Sequence, residues 1–209
     1  HRGTGAARHL VEEILAAASA EEIGLALLFS EIGPDYYARL GFTPIATHDL
    51  QLRITESTRH GAPMTMVRGG EERDLADIVA MNAVRAARYR FHLERDRDLV
   101  HYAIAKRRLL AGLGPPGVRE VQFFIAEEGA SAVAYVVISA HAGEWTIEEC
   151  GDRDPAGARL GALLQVLIAR DPAERRPVIR AALPHGFMPP QIAAIAKQPS
   201  PEIMMVRAL

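Results

Sequence analysis

The chain has 209 residues, enough for one large domain or two small ones, each able to bury a core. Apolar residues make up 49% and charged residues 24%, the net charge is −2, and Lys and Arg are interspersed with Asp and Glu, so no long basic run is available to hold a nucleic acid. Apolar runs such as Ala132 to Ala140 are far too short to span a bilayer and no secretory signal opens the chain, so the expectation is an ordinary soluble, cytoplasmic protein without a membrane partner. Cys150, the single cysteine, can form no internal disulfide and reads as a small buried hydrophobe.

The first recognisable element is a Gly-rich loop running into a helix, and the strands expected before such a loop are taken to lie outside this sequence. From Gly5 to Ala20 apolar residues recur at Leu10, Val11, Ile14, Leu15 and Ala18, the helical spacing, with Glu12 and Glu13 on the wet side. Leu25 to Ser30 is a short apolar run bounded by turn signals and reads as a buried strand. Asp35 can cap a short helix that runs through Leu40 and ends at Gly41. Phe42 to Ile54 is strand-like, and the polar stretch Thr55 to Pro63 is the expected linker.

A second unit is expected from Met64. Thr65 to Val67 reads as a strand and Glu71 to about Ala111 as one or two helices, ended by Gly112 to Gly117. Strands follow at Val121 to Glu127, Ala132 to Ala140 and Glu144 to Glu149. A helix from about Ala156 to Arg170 comes next, then a strand from Val178 to Leu183. A last helix opens at Pro189 and runs through Lys197, and a closing strand spans Ile203 to Leu209. The fold class is therefore mixed α/β (α+β) in two units, residues 1–63 and 64–209, without solenoid repeats or low-complexity tracts.

The motif with chemical content is Arg2-Gly3-Thr4-Gly5-Ala6-Ala7, leading straight into the first helix. Backbone N–H groups of a first helical turn have no internal partners, and the aligned peptide dipoles add partial positive charge, so an anion is the natural partner. Small residues there let a diphosphate approach the backbone closely. A dinucleotide-binding turn is disfavoured, because Arg8 stands where the third glycine of G-x-G-x-x-G would be.

About twenty residues later comes Leu27-Leu-Phe-Ser-Glu-Ile-Gly-Pro-Asp-Tyr-Tyr-Ala-Arg-Leu-Gly-Phe42. Together the two stretches resemble the GNAT acetyltransferase family. Arg2, Gly5 and Ala7 fit its Arg/Gln-x-x-Gly-x-Gly/Ala loop for the coenzyme A pyrophosphate, and Tyr37, Gly41 and Phe42 fit its Tyr-x-x-x-Gly-Phe/Tyr turn. The resemblance implies a GNAT fold, acetyl-CoA as cosubstrate held by Arg2, Gly3, Thr4, Gly5, Ala6 and Ala7, and Tyr37 as general acid toward the departing thiolate. The second unit resembles a further GNAT copy by element order, and Met204 to Leu209 resembles the closing strand of tandem-GNAT proteins. Its loop Cys150-Gly-Asp-Arg-Asp-Pro-Ala-Gly157 departs from the family spacing, and its aspartates would repel a pyrophosphate. This copy is expected to bind no coenzyme and to shape the acceptor pocket.

The reaction sets a further requirement. An alkyl amine of pKa about 10.4 is neutral in only about one molecule in 2,500 at pH 7, a deficit of roughly 4 to 5 kcal/mol, so a base or water chain must remove its proton. Glu31, Glu148 and Glu149 read as solvated surface carboxylates, which leaves the base unassigned. Tyr36 faces away from Tyr37 and reads as a packing or acceptor-side residue. The histidines, His9, His48, His60, His92, His101, His141 and His185 among them, form no pair at metal-ligand spacing, so no metal is expected. The acceptor is expected to be a small-molecule or peptide amine, and homo-oligomer formation is left open. The competing class is a non-catalytic GNAT-derived module that senses acyl-CoA or packs on a partner.

Overall fold

The computed structural model describes residues 4–55, 65–184 and 186–209. The chain divides into two compact units, one formed by the residues up to Asp49 together with Gln198–Leu209, the other by Leu50–Lys197.

In the first unit, α1 (Ala6–Ala20), β1 (Leu25–Ser30), α2 (Asp35–Ala38) and β2 (Thr43–Ile45) are joined by the last strand of the chain, β10 (Ile203–Ala208). The three strands form a sheet of order β1-β10-β2. β10 runs antiparallel to β1 from Leu25↔Ala208 to Ser30↔Ile203, and antiparallel to β2 from Met204↔Ile45 to Val206↔Thr43. Leu15, Leu40, Phe42 and Met205 form its core, with Val11, Leu28, Tyr36 and Tyr37 packed against them.

The second unit carries a seven-stranded sheet of order β4-β5-β6-β7-β8-β3-β9. Its strands are β3 (His48–Ile54), β4 (Met66–Gly69), β5 (Arg119–Glu128), β6 (Ser131–His141), β7 (Glu144–Asp152), β8 (Val178–Ala181) and β9 (Ile192–Pro199). The helices are α3 (Leu75–Ala86), α4 (Arg97–Gly112) and α5 (Ala158–Ile168). α5 is the crossover between β7 and β8, which pair in parallel from Glu144↔Val178 to Ile147↔Ala181. β6 is central. Its even-numbered residues Ala134, Val136 and Ile138 pack with Leu160, Leu163, Leu164 and Leu167 of α5, and its odd-numbered Tyr135 and Val137 pack with Ile78, Met81, Val100 and Ile104 of α3 and α4. Both faces are covered, so the strand reads as an unbroken apolar run instead of an alternating one. Each fully buried Leu of α5 contributes about 1.5–3 kcal/mol by leaving water.

Several expectations require correction. Ile192–Pro199 is a strand, not a helix. The Pro189-Pro190 turn closes on a bond from Ile192 N to Pro189 O (2.9 Å), and the following segment takes its place beside β3 at the sheet edge, where pairing overrides the helical propensity of its alanines. Phe42 to Ile54 is not one strand: β2 and β3 lie in different sheets, and Pro44, which lacks an N–H, sits on the edge strand β2. The closing strand serves the first unit's sheet, because Met205 is wholly buried in that unit's core, so the division differs from the expected 1–63 and 64–209. Of the expected linker, residues 56–63 lie outside the described residues; Thr55 is tied within the second unit, its N–H to Gln191 O (2.8 Å) and its carbonyl to Gln165 Nε2 (2.5 Å).

Candidate functional site

The first candidate is the start of α1. Gly5 sits at the N-cap with φ 77° and ψ 2°, a left-handed conformation that costs glycine little and any side chain more. A Cβ placed there would meet nothing within 4 Å among the described residues. Gly5 brings no side chain to cap the helix, no acidic residue stands in its first turn, and Thr4 to Leu10 are all exposed. The first intrahelical bond runs from His9 N to Gly5 O (3.0 Å), which leaves the amides of Ala6, Ala7 and Arg8 without helical acceptors. The Arg8 side chain turns down the helix to Glu12 at 2.8 Å. That hydrogen bond and charge raise its pKa above the ordinary value, and the Tyr36 phenol makes a smaller contribution to the same rise. Thr4, Gly5, Ala6 and Ala7 of the expected loop are thus placed, while Arg2 and Gly3 lie outside the described residues.

Tyr37 lies on α2, whose end is a tight turn. Leu40 N and Phe42 N both donate to Tyr37 O, at 3.0 and 3.1 Å, and Gly41 takes φ 81°. Arg207 of β10 donates through Nη1 to Leu40 O at 2.5 Å, giving that carbonyl at the turn a partner. The Tyr37 ring meets Phe42 edge-on at 6.0 Å and Tyr36 at 5.0 Å, which fixes its plane. Gly41 therefore serves the turn that positions Tyr37, and Phe42 serves its packing. Tyr36 points into the unit's core, where its hydroxyl is buried without a hydrogen-bond partner. Both the loop and the phenol belong to the first unit.

The start of α5 has the same left-handed glycine, Gly157 at φ 76°, but a different end. Asp152, 3% exposed, accepts from Leu160 N through Oδ2 (2.8 Å) and from Asp154 N through Oδ1 (2.7 Å), and Asp154 accepts from Ala156 N (2.9 Å). Burial pushes the Asp152 carboxyl above the ordinary carboxylate range, while the backbone N–H groups of Asp154, Leu160 and Arg159 oppose that rise. A Cβ at Gly157 would lie 2.8 Å from Pro189 Cγ and 2.9 Å from Phe187 Cζ. The chain's own carboxylate and an apolar cover thus occupy the place an external anion would need.

Glu31 is exposed. Glu148 is half-buried and paired with Arg107 at 3.3 Å, and Glu149 is buried, so neither is the solvated surface carboxylate expected of them. The register of β6 with β7 shifts between Val137↔Glu149 and Ile138↔Ile147, a bulge that turns Glu149 inward. Arg95 meets it through Nη1 and Nη2 at 2.5 and 3.1 Å. His9 is exposed, 3.9 Å from Glu13. His60 and His185 lie outside the described residues. Among the described residues no group of three His, Cys, Asp or Glu is placed to hold a metal, and no helix is long and apolar enough to cross a membrane.

No protein-family model matches the chain, and no curated protein matches it. Solved structures do. A conserved protein of unknown function from Enterococcus faecalis V583 superposes with a TM-score of 0.71 at 13% identity, over 100% of this chain and 51% of its own. A GCN5-related N-acetyltransferase from Kribbella flavida gives 0.68 at 16% identity, over 100% and 49%. One from Anabaena variabilis ATCC 29413 gives 0.65 at 11% identity, over 99% and 51%. The chain therefore spans about half the length of these structures. In its order of strands and helices it is a mixed α/β protein with the fold of the GCN5-related N-acetyltransferases.

Proposed function

We propose that this chain belongs to an acetyl-CoA-dependent N-acetyltransferase, with the coenzyme held at the start of α1 and Tyr37 as general acid. The observation that carries the reading is the open N-terminus of α1. It has a left-handed Gly5 with, among the described residues, free space where its side chain would be, and no acid in the first turn. These residues fit a diphosphate: the amides of Ala6, Ala7 and Arg8 would donate to its oxygens, and the helix dipole would favour its charge. Arg2 and Gly3 complete the loop on the strength of the sequence resemblance. When bound, acetyl-CoA supplies an acetyl thioester activated toward attack by an amine. Tyr37 holds a phenolic proton at a ring fixed by Phe42 and Tyr36, where it would protonate the departing thiolate. The acceptor is an amine on a small molecule or peptide, and it must lose its ammonium proton before it reacts. The second unit binds no coenzyme, a reading supported by Asp152 on the amides of α5 and by Phe187 and Pro189 over Gly157.

The test is acetyl transfer from acetyl-CoA to a panel of amines, comparing wild type with Tyr37→Phe and Tyr36→Phe in the complete protein. Tyr37→Phe keeps the ring and should lower kcat by about 10²- to 10⁴-fold with acetyl-CoA affinity nearly unchanged. Tyr36→Phe should leave kcat intact. Equal kcat for Tyr37→Phe and wild type, with chemistry limiting turnover, removes Tyr37 from the mechanism. Tight acetyl-CoA binding without transfer to any amine favours the sensing module.

A further inference from the structure

The sheet face that α3 and α4 cover in the second unit changes character where α4 ends. On β6 this face carries Tyr135 and Val137, both wholly buried, and then Ser139 and His141. The register with β5 and β7 sets the last two in rows across three strands, Val121↔Ser139↔Thr146 and Arg119↔His141↔Glu144, about 7 Å apart. α4 stops at Gly112, and residues 113–118 lead back into β5, so the helix does not reach these rows. A recess of 480 Å³ remains there, with Leu110, Ala111 and Val118 as its apolar wall. Ser139 and Thr146 form its floor, and Arg119, His141 and Glu144 stand at its mouth.

Ser139 is 6% exposed, yet its hydroxyl has no hydrogen-bond partner among the described residues and faces the recess. A hydroxyl sunk this far without a partner is costly, and an apolar residue would continue the packing of Val137 without that cost. Arg119 and His141, opposite one another across β5 and β6, make no ion pair or side-chain hydrogen bond with the described residues. Glu144 is different, because Arg180 Nε holds its Oε2 at 2.7 Å. The free guanidinium calls for an anion, and the Glu144 carboxylate beside it opposes a second negative charge, so the recess suits a monoanion. A planar carboxylate matches the guanidinium fork and can still accept from a hydroxyl. Leu110 and Val118, 54% and 45% exposed, offer an apolar body a surface to cover.

We propose that this recess binds a small amphipathic monocarboxylate, its carboxylate held by Arg119, His141 and the Ser139 hydroxyl and its apolar body laid against Leu110 and Val118. Binding gives the buried hydroxyl its acceptor and the guanidinium its counter-charge, and no covalent bond changes. Every residue of the site belongs to the second unit, so the site stands apart from the coenzyme reading of α1 and Tyr37.

The experiment titrates the full chain with octanoate, octanol, octylamine and octyl phosphate, followed by calorimetry and by amide chemical shifts. Octanoate should bind at least tenfold more tightly than the other three and should shift the amides of Leu110, Val118 and Ser139. Arg119 is exposed, so Arg119→Gln leaves the fold intact; it should weaken octanoate at least tenfold and leave octanol as in wild type. Ser139→Ala removes a hydroxyl with no protein partner, and it should weaken octanoate at least threefold. Octanol binding as tightly as octanoate would mean an apolar patch without a carboxylate site, and that result overturns the proposal. Octylamine or octyl phosphate matching octanoate does so too, as do unchanged octanoate affinity in Arg119→Gln, octanoate shifts confined to other residues, and no octanoate binding at all.

Discussion

The starts of α1 and α5 share a backbone shape and differ in what lies over it. Each helix begins after a left-handed glycine, Gly5 and Gly157, and each sits beside a strand of its own sheet. At α1 a Cβ on Gly5 would meet nothing within 4 Å among the described residues, and no acid stands in the first turn. At α5 Asp152 already accepts from the helix amides, and Phe187 and Pro189 fill the approach. A glycine before a helix licenses a backbone shape only. Whether the shape becomes a binding site depends on what the rest of the chain places over it.

Substitutions at the two glycines give the sharpest contrast. Gly157→Ala meets both the left-handed backbone and contacts of 2.8 and 2.9 Å, so it should destabilise the second unit by about 2–4 kcal/mol. Gly5→Ala meets only the backbone term, about 1 kcal/mol. Hydrogen exchange of α5 and of α1 reads the two effects separately, as a chain of two units requires. Equal effects would erase the distinction drawn between the helix ends.

Asp152→Ala comes next. It leaves Leu160 N and Asp154 N without acceptors in a buried place and should cost about 1–3 kcal/mol, read as faster exchange in α5. Wild-type exchange in α5 would show that the carboxylate does not cap the helix.

A smaller effect follows from acid. The Glu149 pKa is lower in the folded protein than its ordinary value, so in the range between the two the unfolded chain binds more protons and stability rises with pH. Its contribution is present above the ordinary glutamate value and fades as pH falls through the folded one. Asp152, shifted upward, acts in the opposite sense, favouring the fold at the acid end of its window. Glu149→Gln should therefore flatten the acid limb of the second unit's stability profile. An unchanged acid limb would remove Glu149 from that dependence.

The smallest expected change is Tyr36→Phe. Removing a buried hydroxyl with no partner should leave the first unit unchanged or more stable by up to about 1 kcal/mol, measured by exchange in α1 and β1. A clear loss of stability would mean that the hydroxyl has a partner.

Much of this was legible in the residues. The helix over Ala6–Ala20 follows from its apolar spacing and β1 from a short apolar run between turn signals, and β5, β6 and β7 were expected close to where they lie. The open loop at Gly5 and the turn at Gly41 were visible as small residues at fixed places. β9 was not, because Gln191 to Lys197 is rich in alanine and becomes a strand only through its place beside β3. The partners of β10 were hidden for a similar reason, since an apolar strand carries no mark of which sheet it joins. Glu149 looked the same as Glu148 in sequence, and the bulge opposite Val137 separates them. Arg95 sits 54 residues from its carboxylate, with nothing local to pair them.

The most direct test of the two helix ends is calorimetric titration of acetyl-CoA into the complete protein and into Gly5→Glu. The predicted result is one coenzyme per chain for wild type and at least a hundredfold weaker binding for Gly5→Glu, equal to about 2.7 kcal/mol. Unchanged affinity in Gly5→Glu, or two coenzymes per wild-type chain, would contradict the assignment of the open and closed ends.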